Sequence, residues 1–160
     1  PVCGSIGTIH SHGTKFYCTS CKTEAEYTED LKISPPVQGY SRIYEWFEWE
    51  RREVVKRVLG GEPLSDGNIL FRESVKLKRK IKLPGDTVTL DKEALTISGE
   101  GQTSRYPLSE IDAITAVGKK KFNFYYKGKI LQVKGDKRFC SIKYVHAFDG
   151  MRDARKEEAQ

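Results

Sequence analysis

The stretch Tyr17-Cys18-Thr19-Ser20-Cys21-Lys22 contains a C-x-x-C pair, and few short motifs constrain a backbone so tightly. Two thiolates at this spacing can share one tetrahedral ion, which fixes the turn between them. Upstream, Pro1-Val2-Cys3-Gly4 has the form of the last four residues of a second pair, C-P-x-C-G. On this reading the chain opens one residue past the first cysteine of that pair. The glycine after its second cysteine allows the tight turn of such a knuckle. Between the two pairs, Ser5 to Tyr17 alternates around Gly13 as a β-hairpin would. Two knuckles joined by a short hairpin make a zinc ribbon. Its expected ligands are Cys3, Cys18 and Cys21, and its expected cofactor is Zn2+, absent or only partly bound where truncation has removed one thiolate.

Three cysteines leave a tetrahedral site one ligand short. His10 and His12 are chemically competent to fill it. Their place near the hairpin tip instead predicts exposed turn residues. A disulfide or redox pair is disfavoured, since no βαβ pattern surrounds Cys18 and Cys21. Cys140, in F-C-S-I-K-Y-V, is expected to be a small buried hydrophobe.

The 160 residues suffice for a small metal module plus one compact domain of about 90–100 residues. A hydrophobic fraction of 38% with 11% aromatics supports a real core. A net charge of +6 favours an anionic partner: phospholipid, nucleic acid or acidic protein. No apolar run is long enough to span a bilayer, and no signal peptide is recognisable. Lacking an initiator methionine, the chain is expected to be an excised part of a longer protein whose missing part holds the activity.

Residues 1–60 are expected to form the ribbon with a helix. Ala25-Glu26-Tyr27 and Leu31-Lys32-Ile33 have the look of ribbon-edge strands, stopped by Pro35-Pro36. Ser41 is a plausible N-cap for a helix reaching about Leu59. Ile43, Trp46, Phe47, Val54 and Val58 recur at helical spacing and predict its buried face, with Trp49 widening the aromatic side. Gly60-Gly61-Glu62-Pro63 and Asp66-Gly67-Asn68 mark the domain boundary.

Residues 68–160 change to period two. Val75, Leu77, Ile81 and Leu83 alternate with Lys76, Lys78, Lys80 and Lys82, predicting one strand with a lysine stripe. Such a stripe suits lipid or nucleic-acid phosphates; it equally suits a solvated edge that resists aggregation. Lys119, Lys120 and Lys121 form a second basic group. Short strands follow around Val88-Leu90, Ala94-Ser98, Arg105-Leu108, Ile111-Val117, Phe122-Tyr126 and Ile130-Val133, as in a small antiparallel barrel or sandwich. Phe139, Ile142, Val145 and Phe148, three apart, predict a final helix. The expected class is therefore α+β and mostly β. The order of strands closed by one C-terminal helix resembles the pleckstrin-homology-like fold, including GRAM domains.

A second resemblance covers most of the chain. G-T-I-H-S-H-G-T-K-F-Y-C-T-S-C-K-T-E-A-E-Y-T-E with I-Y-E-W-F-E-W-E is similar to the zinc-ribbon-plus-helix segment after the catalytic domain of some bacterial 1-acylglycerol-3-phosphate acyltransferase-like proteins. T-L-D-K-E-A-L-T-I, Y-P-L-S-E-I-D-A-I and F-Y-Y-K-G-K-I-L-Q-V-K-G-D-K-R-F-C-S-I-K-Y are similar to their β-rich tail. The resemblance implies a parent transferase of phospholipid biosynthesis, acting on lysophosphatidate at the cytoplasmic membrane face. The family's catalytic signature, histidine then aspartate five positions on, is missing: those positions hold Lys15, Tyr17 and Met151 after His10, His12 and His146. His146 and Asp149 are expected as a surface pair on the last helix.

Three functions follow. The first is a non-catalytic C-terminal accessory region, cytoplasmic and membrane-peripheral. Its partners would be its own upstream catalytic domain and anionic lipids, met through the lysines around Lys76–Lys82 and Lys119–Lys121. The second is a nucleic-acid-binding zinc-ribbon protein, disfavoured because the aromatics lie at core-like periods. The third is a purely structural protein-interaction module.

Overall fold

A computed structural model describes residues 3–5, 8–76 and 79–158. The chain divides into two compact units, Pro1–Glu53 and Val54–Gln160. The division falls inside a helix that continues for six residues beyond it before reaching the Gly60-Gly61 break.

The first unit is a five-stranded antiparallel sheet in the order β1 (Ile9–His12), β2 (Lys15–Cys18), β3 (Glu24–Tyr27), β4 (Lys32–Val37) and β5 (Tyr40–Arg42). His12 pairs with Lys15, leaving a two-residue turn whose first central residue, Gly13, has φ +59. Glycine takes that conformation without the Cβ penalty, and the turn suits the twist of the strands. Pro35 and Pro36 do not stop β4 but lie within it. They fall where the β4–β5 register shifts, between Lys32 and Val37, so no ladder position loses an N–H donor. Phe16, Ala25, Ile33, Val37 and Trp46 form the core of this unit, with Ile9, Tyr40 and Trp49 packed against it. Phe16 stacks on Trp46 at 5.3 Å between centroids.

Helix α1 (Ile43–Leu59) is capped at Arg42, the last residue of β5, rather than at Ser41. The Arg42 N–H donates to Glu45 Oε2 at 3.3 Å, the carboxylate half of a capping box. Trp46, Val54 and Val58 are buried as expected, whereas Ile43 and Phe47 are exposed. The helix ends in a Schellman motif: Gly61 (φ +94) donates to the Val58 carbonyl and Glu62 to that of Arg57.

The second unit holds two open antiparallel sheets and a helix. One sheet runs β11 (Gln102–Pro107), β10 (Ala94–Gly99), β9 (Thr87–Leu90), β6 (Leu64–Asp66). The other runs β12 (Ile111–Ala116), β13 (Lys121–Tyr126), β14 (Lys129–Lys134), β7 (Leu70–Lys76), β8 (Arg79–Lys82). No closed barrel forms among the described strands, because each sheet ends on free edges. Aromatic rings bridge the sheets: Tyr106 of β11 meets Phe124 of β13 at 5.0 Å and Phe71 of β7 at 6.3 Å. Val88, Leu90, Leu95, Phe122, Phe124 and Val133 are fully buried. Each such side chain contributes about 1.5–3 kcal/mol.

Helix α2 (Ser141–Glu158) lies against β12 and β13, with Tyr144 4.9 Å from the Phe122 ring. Its buried seam is Tyr144, Ala147, Phe148 and Met151. The predicted three-residue series is out of phase with a 3.6-residue helix: Phe139 precedes the helix and Ile142 is exposed. His146, expected at the surface, is buried, and Asp149 pairs with Arg152 at 3.3 Å. Cys140 is half-buried rather than in the core.

Candidate functional site

The first candidate is built around the β1–β2 hairpin. Strand β2 delivers Cys18 at its end, and the following turn returns Cys21. The Cys21 N–H points at Cys18 Sγ (3.5 Å), and Lys22 N–H donates to the Cys18 carbonyl (3.0 Å). Lys22 has φ +60 and Gly4 has φ +73, so the residue after Cys21 and the residue after Cys3 are both left-handed. The two knuckles share that conformation, although only one uses glycine to reach it.

The sulfurs of Cys3, Cys18 and Cys21 all lie within 4.8 Å of one another. Cys3 Sγ and Cys18 Sγ are 3.8 Å apart, about the edge of a tetrahedron with bonds of about 2.3 Å to a central zinc. That spacing is far too long for a disulfide, and all three thiols are free. Each sulfur has a hydroxyl neighbour. Thr8 Oγ1 is 3.2 Å from Cys18 Sγ, and Thr23 Oγ1 is 3.2 Å from Cys21 Sγ. The Ser5 hydroxyl and backbone N–H bond Cys3 and lower its thiol pKa to about 6. Burial pushes the Cys18 thiol up. The hydrogen bonds from Thr8 and from the Cys21 and Ser20 backbone outweigh it, leaving the thiol lowered. Donors of this kind favour thiolate, the form that binds metal. Three clustered cysteine sulfurs with hydroxyl neighbours fit a thiophilic ion such as zinc. His10 and His12 lie on β1 outside the cluster, and His10 stacks on Tyr17 at 5.9 Å. Among the described residues the donor set is these three sulfurs.

The second candidate is the basic surface. The predicted lysine stripe is not one strand: β7 and β8 fold into a hairpin, with Lys76 opposite Arg79 and Ser74 opposite Lys80. Reversal of the chain explains why Val75 and Ile81 are exposed rather than packed on a common core. Lys78 and the Lys76 side chain lie outside the described residues. Lys80 and Lys82 are exposed, and Lys80 Nζ donates to Gln132 Oε1 at 2.7 Å. Lys119 and Lys120 sit in the turn between β12 and β13, where their carbonyls accept from Ser141 and Gly135. Lys121 begins β13, directly opposite Lys134. Arg72, Gln132 and Lys134 were not singled out from the sequence. The alternation in F-R-E-S and I-L-Q-V-K would have placed them on one face once strand pairing was known.

No protein-family model matches the chain, and no curated protein matches it. Among solved structures, the N-terminal PH domain of human ARAP2 is similar, with 13% identity and a TM-score of 0.43, over 59% of this chain and 83% of that one. That likeness is too slight to assign a fold or a function.

Proposed function

We propose that the chain is a non-catalytic accessory region of a membrane-associated lipid acyltransferase. Its first unit is a structural zinc ribbon. Its second is a pleckstrin-homology-like docking module at the cytoplasmic face, which meets lipid headgroups or the catalytic domain. The observation that carries the reading is the Cys3–Cys18–Cys21 cluster, whose neighbours are hydroxyls and backbone N–H groups that hold thiolate rather than groups that would act on a substrate. The acyltransferase parent comes from the sequence resemblance, and the missing histidine–aspartate signature makes the region accessory.

Cobalt(II) titration and elemental analysis test the metal assignment. One ion per chain with thiolate charge-transfer absorption is expected, lost in Cys18→Ser. No uptake by the wild type overturns the ribbon. Transfer of an acyl group to lysophosphatidate by this chain alone overturns the accessory role.

A further inference from the structure

The outward face of the five-stranded sheet concentrates positive charge. Lys82 lies opposite Arg72, Arg72 opposite Gln132, Gln132 opposite Asn123, and Lys134 opposite Lys121. Residues directly opposite share a face, with Cβ atoms about 4.5–5.5 Å apart. The alternate positions, Phe71, Leu131, Val133, Phe122 and Phe124, are buried, so this row faces out. Two like-charged pairs, Lys82–Arg72 and Lys134–Lys121, thus confront each other, an arrangement that repels. The five strands contain two acids. Glu73 lies on the opposite face and pairs with Lys129 at 3.3 Å, and Asp112 sits at the register shift between Ile111 and Ala113. Neither offsets the opposed bases.

At the centre of the face Gln132 is only 4% exposed. Its Oε1 accepts from Lys80 Nζ, and its Nε2 donates to Asn123 Oδ1 at 2.8 Å. Both amide oxygens are engaged by these bonds, so the face offers its surroundings N–H donors. Beside them Ile130, opposite Ser74, is 37% exposed, and Leu70, opposite Lys134, is half-buried. The rings of Phe71, Phe122 and Phe124 lie on the buried side, leaving half-buried Tyr125 as the outward ring of β13. Aliphatic side chains set among flexible cations match a lipid surface better than a base-stacking platform.

We propose that Arg72, Lys80, Lys82, Lys121 and Lys134, around the Gln132–Asn123 pair, dock this face on the headgroup layer of an anionic phospholipid bilayer. The inference rests on the reading above in placing the second unit at a membrane. Co-sedimentation with phosphatidylcholine vesicles, with and without phosphatidate, tests it on the full chain. The double variant Arg72→Gln/Lys134→Gln is set against Lys92→Gln/Arg105→Gln, equal in charge and carried by the four-stranded sheet, with far-UV circular dichroism checking the fold. The wild type should bind only the acidic vesicles. The face variant should bind about 25-fold more weakly, from about fivefold per neutralised base, and the control about twofold or less.

Equal losses in both variants overturn the face. Displacement by millimolar inorganic phosphate, or tighter binding of a single-stranded oligonucleotide that weakens in the face variant, overturns the bilayer as partner. Metal uptake without vesicle binding overturns the face and leaves the ribbon. Vesicle binding in the expected order without metal uptake supports the face and overturns the ribbon.

Discussion

Tyr144 joins the last helix to the first strand of its unit. Its ring is fully buried between Phe122 and Phe139, and its hydroxyl donates to Asp66 Oδ2 at 2.6 Å. Lys143 Nζ reaches the same oxygen at 2.7 Å with its side chain 11% exposed. Burial, and then the Asp66 charge and the hydrogen bond to it, raise the Tyr144 pKa far above its ordinary 10.0. A raised folded pKa gives stability that is fully present below about 10 and is lost as pH climbs towards the folded value. Tyr144→Phe keeps the ring and removes the bond to a charged acceptor, so a loss of about 1.5–3 kcal/mol is expected. Urea unfolding near neutral pH measures it. An unchanged midpoint would show that the bond contributes nothing beyond packing.

At the scale of elements, helix α2 is seated by a missing side chain. A Cβ at Gly150 would stand 2.3 Å from Val55 Cγ2, so Gly150→Ala must push the helix off α1. Alanine favours a helix interior by about 1 kcal/mol over glycine, yet overpacking costs about 1–3 kcal/mol. Net destabilisation is therefore expected, and Val55→Ala in the same chain should restore most of it, as a double-mutant cycle in chemical denaturation would read. Equal losses with and without Val55→Ala would refute the clash. Gly150 gives no sequence signal of this kind, because a mid-helix glycine is equally consistent with a weak helix. What was legible came from local chemistry: the Cys18–Cys21 knuckle, the Gly13 turn, the mostly β second unit, and Trp46, Val54 and Val58 on the buried side of α1. What was not legible depended on pairing. The alternation from Val75 to Leu83 is identical for one long strand and for a hairpin with matched registers, so the fold back to Arg79 was invisible. The basic face needed Lys121 and Lys134 brought together by β13–β14 pairing, and the α2 seam needed a helix phase that three-residue spacing misjudges.

For the whole molecule, the two units differ in what they need to stay folded. Among the described residues, the first unit, residues 1–53, rests on a core cluster of five buried hydrophobes, Phe16, Ala25, Ile33, Val37 and Trp46. A core of that size rarely holds a domain below about 70 residues without a staple, and a structural metal is one such staple. The second unit, 54–160, buries a far larger aromatic and aliphatic set and satisfies itself. Both tryptophans of the chain, Trp46 and Trp49, belong to the first unit. Their fluorescence therefore reports that unit alone, while far-UV circular dichroism is dominated by the strands and helix of the second. Stripping metal with a chelator should red-shift the tryptophan emission and remove an early thermal transition. The main circular-dichroism transition should persist within a few degrees, and added zinc should restore the emission. Cys18→Ser should reproduce the chelated state without chelator, since it removes the buried thiolate at the centre of the cluster. Emission and dichroism lost together on chelation would mean that the units unfold as one. Emission unmoved by chelator and by Cys18→Ser would mean that the five-residue core holds its unit folded without metal.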